Sequence, residues 1–273
     1  MQRSTGTHYD PQWYRSPIDL PIATRGRISI RHRKIPKGKE ITIIGTRQAF
    51  LRGCRPVKAV TQTALRIHEL VEEEQGVWMT DLPEELNQIG EMLHAVQPRG
   101  SVLVGGLGLG ILPAVLSQRV GVEEIVVVER NPDVIHLCAA SGYTTQCADI
   151  KEFLTRTHDH DEPFDYYLLD TWQETNESAW WDEVMPLRRI IRNRWGQLPR
   201  VHCWAEDIMQ GQLARTLTCS PPHWVFKYLS MPMSVKEARF FLRCVGLPTW
   251  ERRFGGAIDR VNFERQEKEE VAV

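Results

Sequence analysis

Three stretches of this chain, Val102-Leu103-Val104, Ile125-Val126-Val127-Val128 and Tyr166-Tyr167-Leu168-Leu169, are short unbroken apolar runs that end on a glycine or a carboxylic acid. A strand with one wet face alternates apolar and polar residues, so runs without alternation predict strands covered on both faces. Helix signals separate them. Residues 111–120 carry helical spacing, and Asn131-Pro132-Asp133 offers an N-cap side chain followed by proline at the first helical position. A third strand is predicted over 144–147, a helix over 150–155, a Trp-rich helix over roughly 178–194 and a fifth strand over 201–204. Strands and helices that alternate in this way predict an α/β fold with a doubly wound, mostly parallel sheet, whose sites lie at the carboxyl ends of the strands. Beyond Glu206 the pattern predicts a helix to about Thr216, a strand over 224–229, a helix over 234–244 and a frayed tail from Gln266.

The N-terminal part has a different texture. Residues 1–22 lack periodicity and predict an irregular arm. From Arg27 the pattern is β-like, with Ile28 and Ile30, a Pro-Lys-Gly-Lys turn at 36–39 and Ile41-Thr42-Ile43-Ile44, which together predict a hairpin. Short strands are also predicted over 57–60 and 77–80, while 63–73 fits helix or strand. A helix is predicted from Pro83, where Glu84 and Glu85 follow and Leu86, Ile89, Met92 and Leu93 repeat at spacings of three and four. The expected division is an arm and small β domain over 1–82, a main domain over 83–265 and the tail over 266–273.

With 34 Lys and Arg against 35 Asp and Glu in 273 residues, the chain does not bind polyanions by bulk charge. The balance hides a split: residues 1–60 hold thirteen cations and three anions, or +10, leaving −11 for the rest. Such a segment meets an anionic partner or docks on an acidic face of its own or a second subunit. No apolar run approaches the ~18 residues of a membrane span, and the N-terminus is too polar for a secretory core, so a cytoplasmic protein with no membrane partner is expected. Cys54, Cys138, Cys147, Cys203, Cys219 and Cys244 are scattered without a C-x-x-C pair, which predicts reduced, mostly buried thiols. The sequence His158-Asp159-His160-Asp161 lies in a polar loop that does not preorganise a metal site, so no metal is expected.

Chemistry concentrates at the strand ends. Gly105-Gly106-Leu107-Gly108-Leu109-Gly110 joins a strand to a helix, and glycines there let the backbone approach a ligand and turn its amides outward. The spacing is G-x-G-x-G; the dinucleotide fingerprint G-x-G-x-x-G fails at Ile111. Glu129 ends the next run, where an acid can accept both hydroxyls of a ribose. Asp149 follows the third strand and Asp170 the fourth. A lone acid at a strand end commonly just caps a helix, but a glycine loop and three acids at successive ends share one crevice.

These segments resemble the class I S-adenosylmethionine-dependent methyltransferases, within them the spermidine synthase-like branch, over residues ~77–205. Val102 to Gly110 is similar to that branch's V-L-x-x-G-G-G-x-G-G strand and loop, and Val126 to Val134 to its V-V-x-V-E-x-x-x-x-V segment. Asp149 to Leu154 resembles D-x-x-x-F-L, and Phe164 to Asp170 resembles Y-D-x-I-x-x-D. Trp78 to Asp81 and Glu91 to Leu93 look like the link from a small β domain into the first helix. The resemblance implies a Rossmann-like domain that binds S-adenosylmethionine. Gly105, Gly106, Gly108 and Gly110 would lie against the amino-acid part, Glu129 with Arg130 at the ribose, and Asp149 with Ile150 at the adenine. Asp170 would face the reacting group and Trp172 would wall the acceptor pocket. A homodimer and a small-molecule acceptor are implied too.

Polyamine-forming members carry D-[ST]-[ST]-D-P at the fourth strand, whereas this chain reads Asp170-Thr171-Trp172-Gln173-Glu174 and lacks the second Asp. Methyl transfer to an unidentified acceptor is therefore expected over aminopropyl transfer. The [DNS]-P-P-[YFW] stretch and the Pro-Cys nucleophile of DNA-modifying enzymes are both missing. A nucleic-acid acceptor stays open through ribose 2′-O-methylation, because Val225-Phe226-Lys227-Tyr228 resembles a lysine-bearing strand of such enzymes. A cofactor-binding module without turnover is the non-enzymatic alternative.

Overall fold

The computed structural model describes residues 15–45, 49, 55–156, 162–172, 179–196, 200–206 and 209. The chain divides into two units, 1–173 with 183–204, and 174–182 with 205–273. The first unit carries the sheets and the ligand-sized cleft between them. The predicted elements beyond Glu206, the segment 158–161, and Cys54, Cys219 and Cys244 lie outside the described residues.

The unbroken apolar runs form the centre of a mixed α/β fold. Five strands, β7 (Gly100–Gly105), β8 (Val122–Glu129), β9 (Thr144–Cys147), β10 (Tyr166–Leu169) and β11 (Arg200–Cys203), make one sheet in the order β11-β10-β7-β8-β9. Every neighbouring pair is parallel. Val102, Leu103 and Val104 on the central strand are fully buried, as are Val127 and Tyr167 beside them. The order runs outward from β7 to β8 and β9, then returns to its other side at β10, so the crossovers change direction between β7 and β10.

Helices occupy the crossovers: α1 (Pro83–Val96) enters β7, α2 (Ile111–Leu116) leaves it, and α3 (Pro132–Cys138) and α4 (Ile150–Thr155) follow β8 and β9. Asn131 caps α3 as expected, its Oδ1 accepting from the amides of Asp133 and Val134 at 2.9 and 3.3 Å. Helix α2 ends earlier than its spacing predicts, because the chain turns at Gly121 and leaves Val120 in solvent. In place of one Trp-rich helix, a π-helical turn (Trp180–Val184) precedes α5 (Met185–Trp195). Pro186 has no N–H for the carbonyl four residues back, and the wider turn lies just upstream of it. Trp180 is buried, and the side chain of Trp181 lies outside the described residues. No helix among the described residues is long and apolar enough to cross a membrane.

The N-terminal strands are antiparallel and fall into two sheets. β1 (Ala23–Arg25), β2 (Ile28–Ile35), β5 (Leu65–Glu72) and β6 (Gly76–Thr80) form one, while β3 (Glu40–Ile44) pairs with β4 (Val57–Val60) in the other. The ambiguous 63–73 stretch is thus the strand β5. The predicted hairpin of β2 with β3 does not form. Thr61 takes over the Pro36–Lys39 turn, its hydroxyl donating to the Pro36 carbonyl at 2.8 Å and its carbonyl accepting from the Gly38 amide at 2.8 Å. The chain therefore leaves one sheet at this turn and enters the other.

Residues 15–22 form no regular element, yet they are held. His68 donates from Nδ1 to the fully buried Asp81 carboxylate at 2.6 Å, which leaves Nε2 to accept from the Leu20 amide at 3.4 Å. His32 Nε2 meets the Leu20 carbonyl at 2.7 Å. Four cations of the basic segment pair with the chain's own carboxylates: Arg25 with Asp133, Arg27 with Glu72 and Glu74, Arg33 with Glu69 and Lys58 with Glu40. Ile28, Ile30 and Leu70 share one core with Ile89, Leu93, Val102, Val104 and Val127, so this sheet and the parallel sheet bury a common apolar interior.

Removing the fully buried Leu103 side chain, which alternates with Val102 and Val104 along β7, should be expensive, because the central strand cannot collapse into the cavity. Leu103→Ala is expected to lower unfolding free energy by about 2–5 kcal/mol in urea titrations. The exposed Val120→Ala serves as the contrast and should change it by less than about 0.5 kcal/mol.

Candidate functional site

The carboxyl ends of the parallel strands open on a cleft of about 1310 Å³. One wall is Gly106, Leu107 and Gly108 after β7, Glu129 and Arg130 after β8, Asp149, Ile150 and Lys151 after β9, and Asp170, Thr171 and Trp172 after β10. Gly26 and Arg27 of the β1–β2 turn, Leu70, Val77, Trp78 and Met79 of the antiparallel sheet, and Glu84, Glu85, Gln88, Ile89 and Met92 of α1 form the opposite wall. Single-ligand pockets typically enclose ~300–1,000 Å³, so the space suits two molecules side by side.

The glycine loop is built by contact. Gly106 has φ +90°, and a Cβ on it would lie 2.2 Å from the Asp170 carbonyl oxygen. Gly108, at φ +53°, would meet the Met79 Sδ at 2.5 Å. Only hydrogen fits at Gly106, against backbone, whereas at Gly108 the positive φ favours glycine and the Met79 side chain fills the space a Cβ would need. Gly105 and Gly110 do not line the cleft. Gly105 lies in β7, its Cβ position 3.0 Å from Leu169 Cδ2, and Gly110 faces the Cys138 carbonyl at 3.0 Å. The cleft thus brings together Gly106, Gly108, Glu129, Arg130, Asp149, Ile150, Asp170 and Trp172, with Gly105 and Gly110 behind it.

Glu129 joins two elements. Its Oε2 accepts from the Leu107 amide at 3.0 Å and its Oε1 from the Asn131 amide at 2.8 Å, tying the glycine loop to the start of α3. A carboxylate has about four acceptor directions, so these two bonds leave capacity for ligand hydroxyls. Asp149 caps α4, its Oδ1 accepting from Lys151 and Glu152 amides at 2.8 and 3.1 Å, and Oδ2 makes neither bond. Helix capping and exposure to the cleft coexist at this residue.

Charge in the cleft is lopsided. Eight lining carboxylates (Glu72, Glu84, Glu85, Glu129, Asp133, Asp149, Asp170 and Glu183) face three cations, Arg27, Arg130 and Lys151. Arg27 is bound to Glu72 at 2.6 Å, Lys151 to Glu183 at 3.0 Å, and Arg25 from outside the lining to Asp133 at 3.0 Å. Burial pushes the Glu85 carboxyl up to about 7, against the hydrogen bond it accepts from Thr80 Oγ1 at 3.0 Å. Burial, then the nearby Glu129 charge, pushes the Cys138 thiol up to about 12 and leaves it inert. Cys138 and Cys203 are buried free thiols, as expected, whereas Cys147 is exposed.

Sequence reasoning missed Thr171, Met79, Arg27 and Glu85 as wall residues. Glu85 was legible only as a helix N-terminal acid, and nothing in the sequence near Met79 announces its contact with Gly108, nor near Arg27 its pairs with Glu72 and Glu74.

No family model and no curated protein matches the sequence. Among solved structures, 47% of this chain aligns with 69% of precorrin 8W decarboxylase from Methanobacterium thermoautotrophicum, at 17% identity and a TM-score of 0.30.

Gly106→Ala should cost about 2–4 kcal/mol in urea unfolding, because both its φ and a backbone oxygen oppose a side chain. Gly76→Ala, with φ +85° but nothing within 4 Å, should cost about 1 kcal/mol, the conformational part alone. For Glu85 the folded carboxyl titrates near 7 and the unfolded one near 4.5, so the folded state holds more protons in between. Stability should therefore fall as pH rises from about 4.5 to 7, and Glu85→Gln should flatten that part of the melting-temperature profile.

Proposed function

We propose that the chain is an S-adenosylmethionine-dependent methyltransferase with a doubly wound, Rossmann-like domain of the spermidine synthase-like type. The observation that carries this reading is the Glu129 bridge: the acid ending the second parallel strand grips the glycine loop that ends the first. Both face one cleft at the position where the strand order reverses, the place where open parallel α/β sheets bind ligands.

The donor set fits this cofactor. Glu129 has spare acceptor capacity for ribose hydroxyls, Asp149 and Ile150 offer an acceptor and an apolar contact to a purine, and the glycine loop presents backbone to the amino-acid end. The surplus of carboxylates suits a ligand with net positive charge. When bound, S-adenosylmethionine supplies a methyl group on a sulfonium, whose sulfur departs with the bond's electron pair. The remaining work belongs to the protein. Asp170 accepts the hydrogen bond of the acceptor's nucleophile and takes its proton, Trp172 walls the acceptor side, and the antiparallel sheet with α1 excludes water above it.

The pairing of Arg25, Arg27, Arg33 and Lys58 with the chain's own carboxylates favours a small-molecule acceptor over a nucleic acid. Lys227 lies outside the described residues.

Calorimetry tests the reading directly. S-adenosylmethionine should bind the purified chain, and Glu129→Ala should weaken it by at least about tenfold, since charged hydrogen bonds contribute ~1.5–3 kcal/mol each. Asp170→Asn should bind it normally and lose methyl transfer to a mixed acceptor pool. Failure of the wild-type chain to bind sinks the proposal; full activity in Asp170→Asn removes Asp170 from the chemistry.

A further inference from the structure

Glu85 is a half-buried acid on the cleft wall that the roles of Glu129, Asp149 and Asp170 leave unused. Glu85, Gln88, Ile89 and Met92 recur on α1 at helical spacing and all line the cleft, so this face of the helix borders the ligand space. Thr80 Oγ1, at the end of β6, donates to Glu85 Oε1 at 3.0 Å and fixes the carboxyl group beside the helix start. Among the described residues no cation pairs with it. Of the three cations lining the cleft, Arg27 is bound to Glu72 and Glu74, Lys151 is bound to Glu183, and Arg130 follows β8 on the opposite wall.

The surrounding charges do not compensate this acid. Glu84 precedes it on α1, and Asp81, between β6 and α1, is a carboxylate held by His68 of β5 at 2.6 Å. The one charged residue of β3, which packs on α1, is Glu40, and it is paired with Lys58 of β4. On the opposite wall lie Glu129, Asp133, Asp149 and Asp170. Burial, with the Glu84 and Asp81 charges adding to it, therefore outweighs the Thr80 hydrogen bonds and pushes the carboxyl up to about 7. A carboxyl group in this condition keeps its proton near neutrality until a positive charge arrives beside it.

We propose that Glu85 is the counter-ion of the cofactor's sulfonium and releases its proton when S-adenosylmethionine binds, so that the cleft separates this cofactor from S-adenosylhomocysteine by charge. The inference rests on the transferase reading of the same cleft and adds a residue that sets its ligand specificity. In that reading the residues after β7, β8 and β9 hold the amino-acid, ribose and adenine parts, which the two ligands share. The ligands differ in the methyl group and in the charge on sulfur. Glu85 lies on the wall across from those residues, bordering the half left for the acceptor, and a charge in a cleft shielded from bulk water acts over several Å. The proton count closes: Glu85 loses one proton to solvent as the sulfonium enters, and regains one when the methyl has left and the sulfur is neutral.

The test is calorimetry on the full chain at pH 7 in phosphate and in Tris, whose different ionisation heats reveal the protons released on binding. A carboxyl group titrating near 7 is half protonated there, so S-adenosylmethionine should release about half a proton more than S-adenosylhomocysteine. From pH 6 to 8 the affinity ratio of the two ligands should rise about tenfold in favour of S-adenosylmethionine. Glu85→Gln keeps the shape and the Thr80 bond without a titrating group, and should remove most of both effects while S-adenosylhomocysteine affinity stays within about twofold. The ligands' own amino groups still titrate in this variant, so only the part it loses belongs to Glu85. Thr80→Val removes the hydroxyl that favours the charged carboxylate. It should move the midpoint of the affinity rise to higher pH, and it carries the test alone if Glu85→Gln does not fold. Equal proton release by the two ligands, or a difference that survives in Glu85→Gln, overturns this inference and leaves the cofactor reading intact. Failure of the wild type to bind either ligand overturns the transferase reading, and the role of Glu85 with it.

Discussion

The close approach of Gly106 to the Asp170 carbonyl is the contact on which the cleft depends. Two adjacent parallel strands, β7 and β10, deliver their chain ends to the same spot, and a Cβ at Gly106 would lie 2.2 Å from that oxygen. Absence of a side chain lets the loop pass, and the positive φ it then adopts redirects the chain into α2. The Asp170 amide in turn donates to the Gly105 carbonyl at 2.8 Å, extending the β7–β10 pairing into the loop. Glycine chemistry and strand order thus converge: the strand order reverses between these strands, and residues at their carboxyl ends line the cleft.

Glu129 extends this constraint to the next strand. By accepting from Leu107 and Asn131 it fixes the loop and the start of α3 relative to one carboxylate. The antiparallel sheet closes the other side, with Met79 against Gly108 and the Leu109 amide 3.4 Å from its sulfur. Arg25 binds Asp133 at 3.0 Å, so the β1–β2 turn rests on α3. Four of the thirteen cations in the +10 segment, Arg25, Arg27, Arg33 and Lys58, are taken up in such internal pairs. Exposed pairs of this kind contribute little stability each, and their effect here is placement: they hold a cleft wall beside the strand ends.

Much of this architecture is legible in the sequence, and for definite reasons. Unbroken runs such as Val102-Leu103-Val104 and Ile125-Val126-Val127-Val128 mark strands because burial on both faces forbids alternation, and all five parallel strands lie where the pattern puts them. Asn131 caps α3 because capping is a local bond between a side chain and amides two and three residues on. The failures are non-local. Residues 28–44 look like a hairpin, but Thr61 captures the intervening turn and the strands join different sheets. Gly105 and Gly110 share the loop's spacing with Gly106 and Gly108, yet they face packing partners rather than the cleft.

By itself the sequence determined the elements, the parallel α/β character and the row of acids at strand ends, since each depends on periodicity, capping or composition within a few residues. Only the tertiary structure decided which of those residues meet. It set Met79 against Gly108 and brought Glu85 and Arg27 to the cleft wall. Such juxtapositions depend on strand order and sheet packing. These are properties of a whole chain competing for one apolar interior, and no local window of sequence contains them.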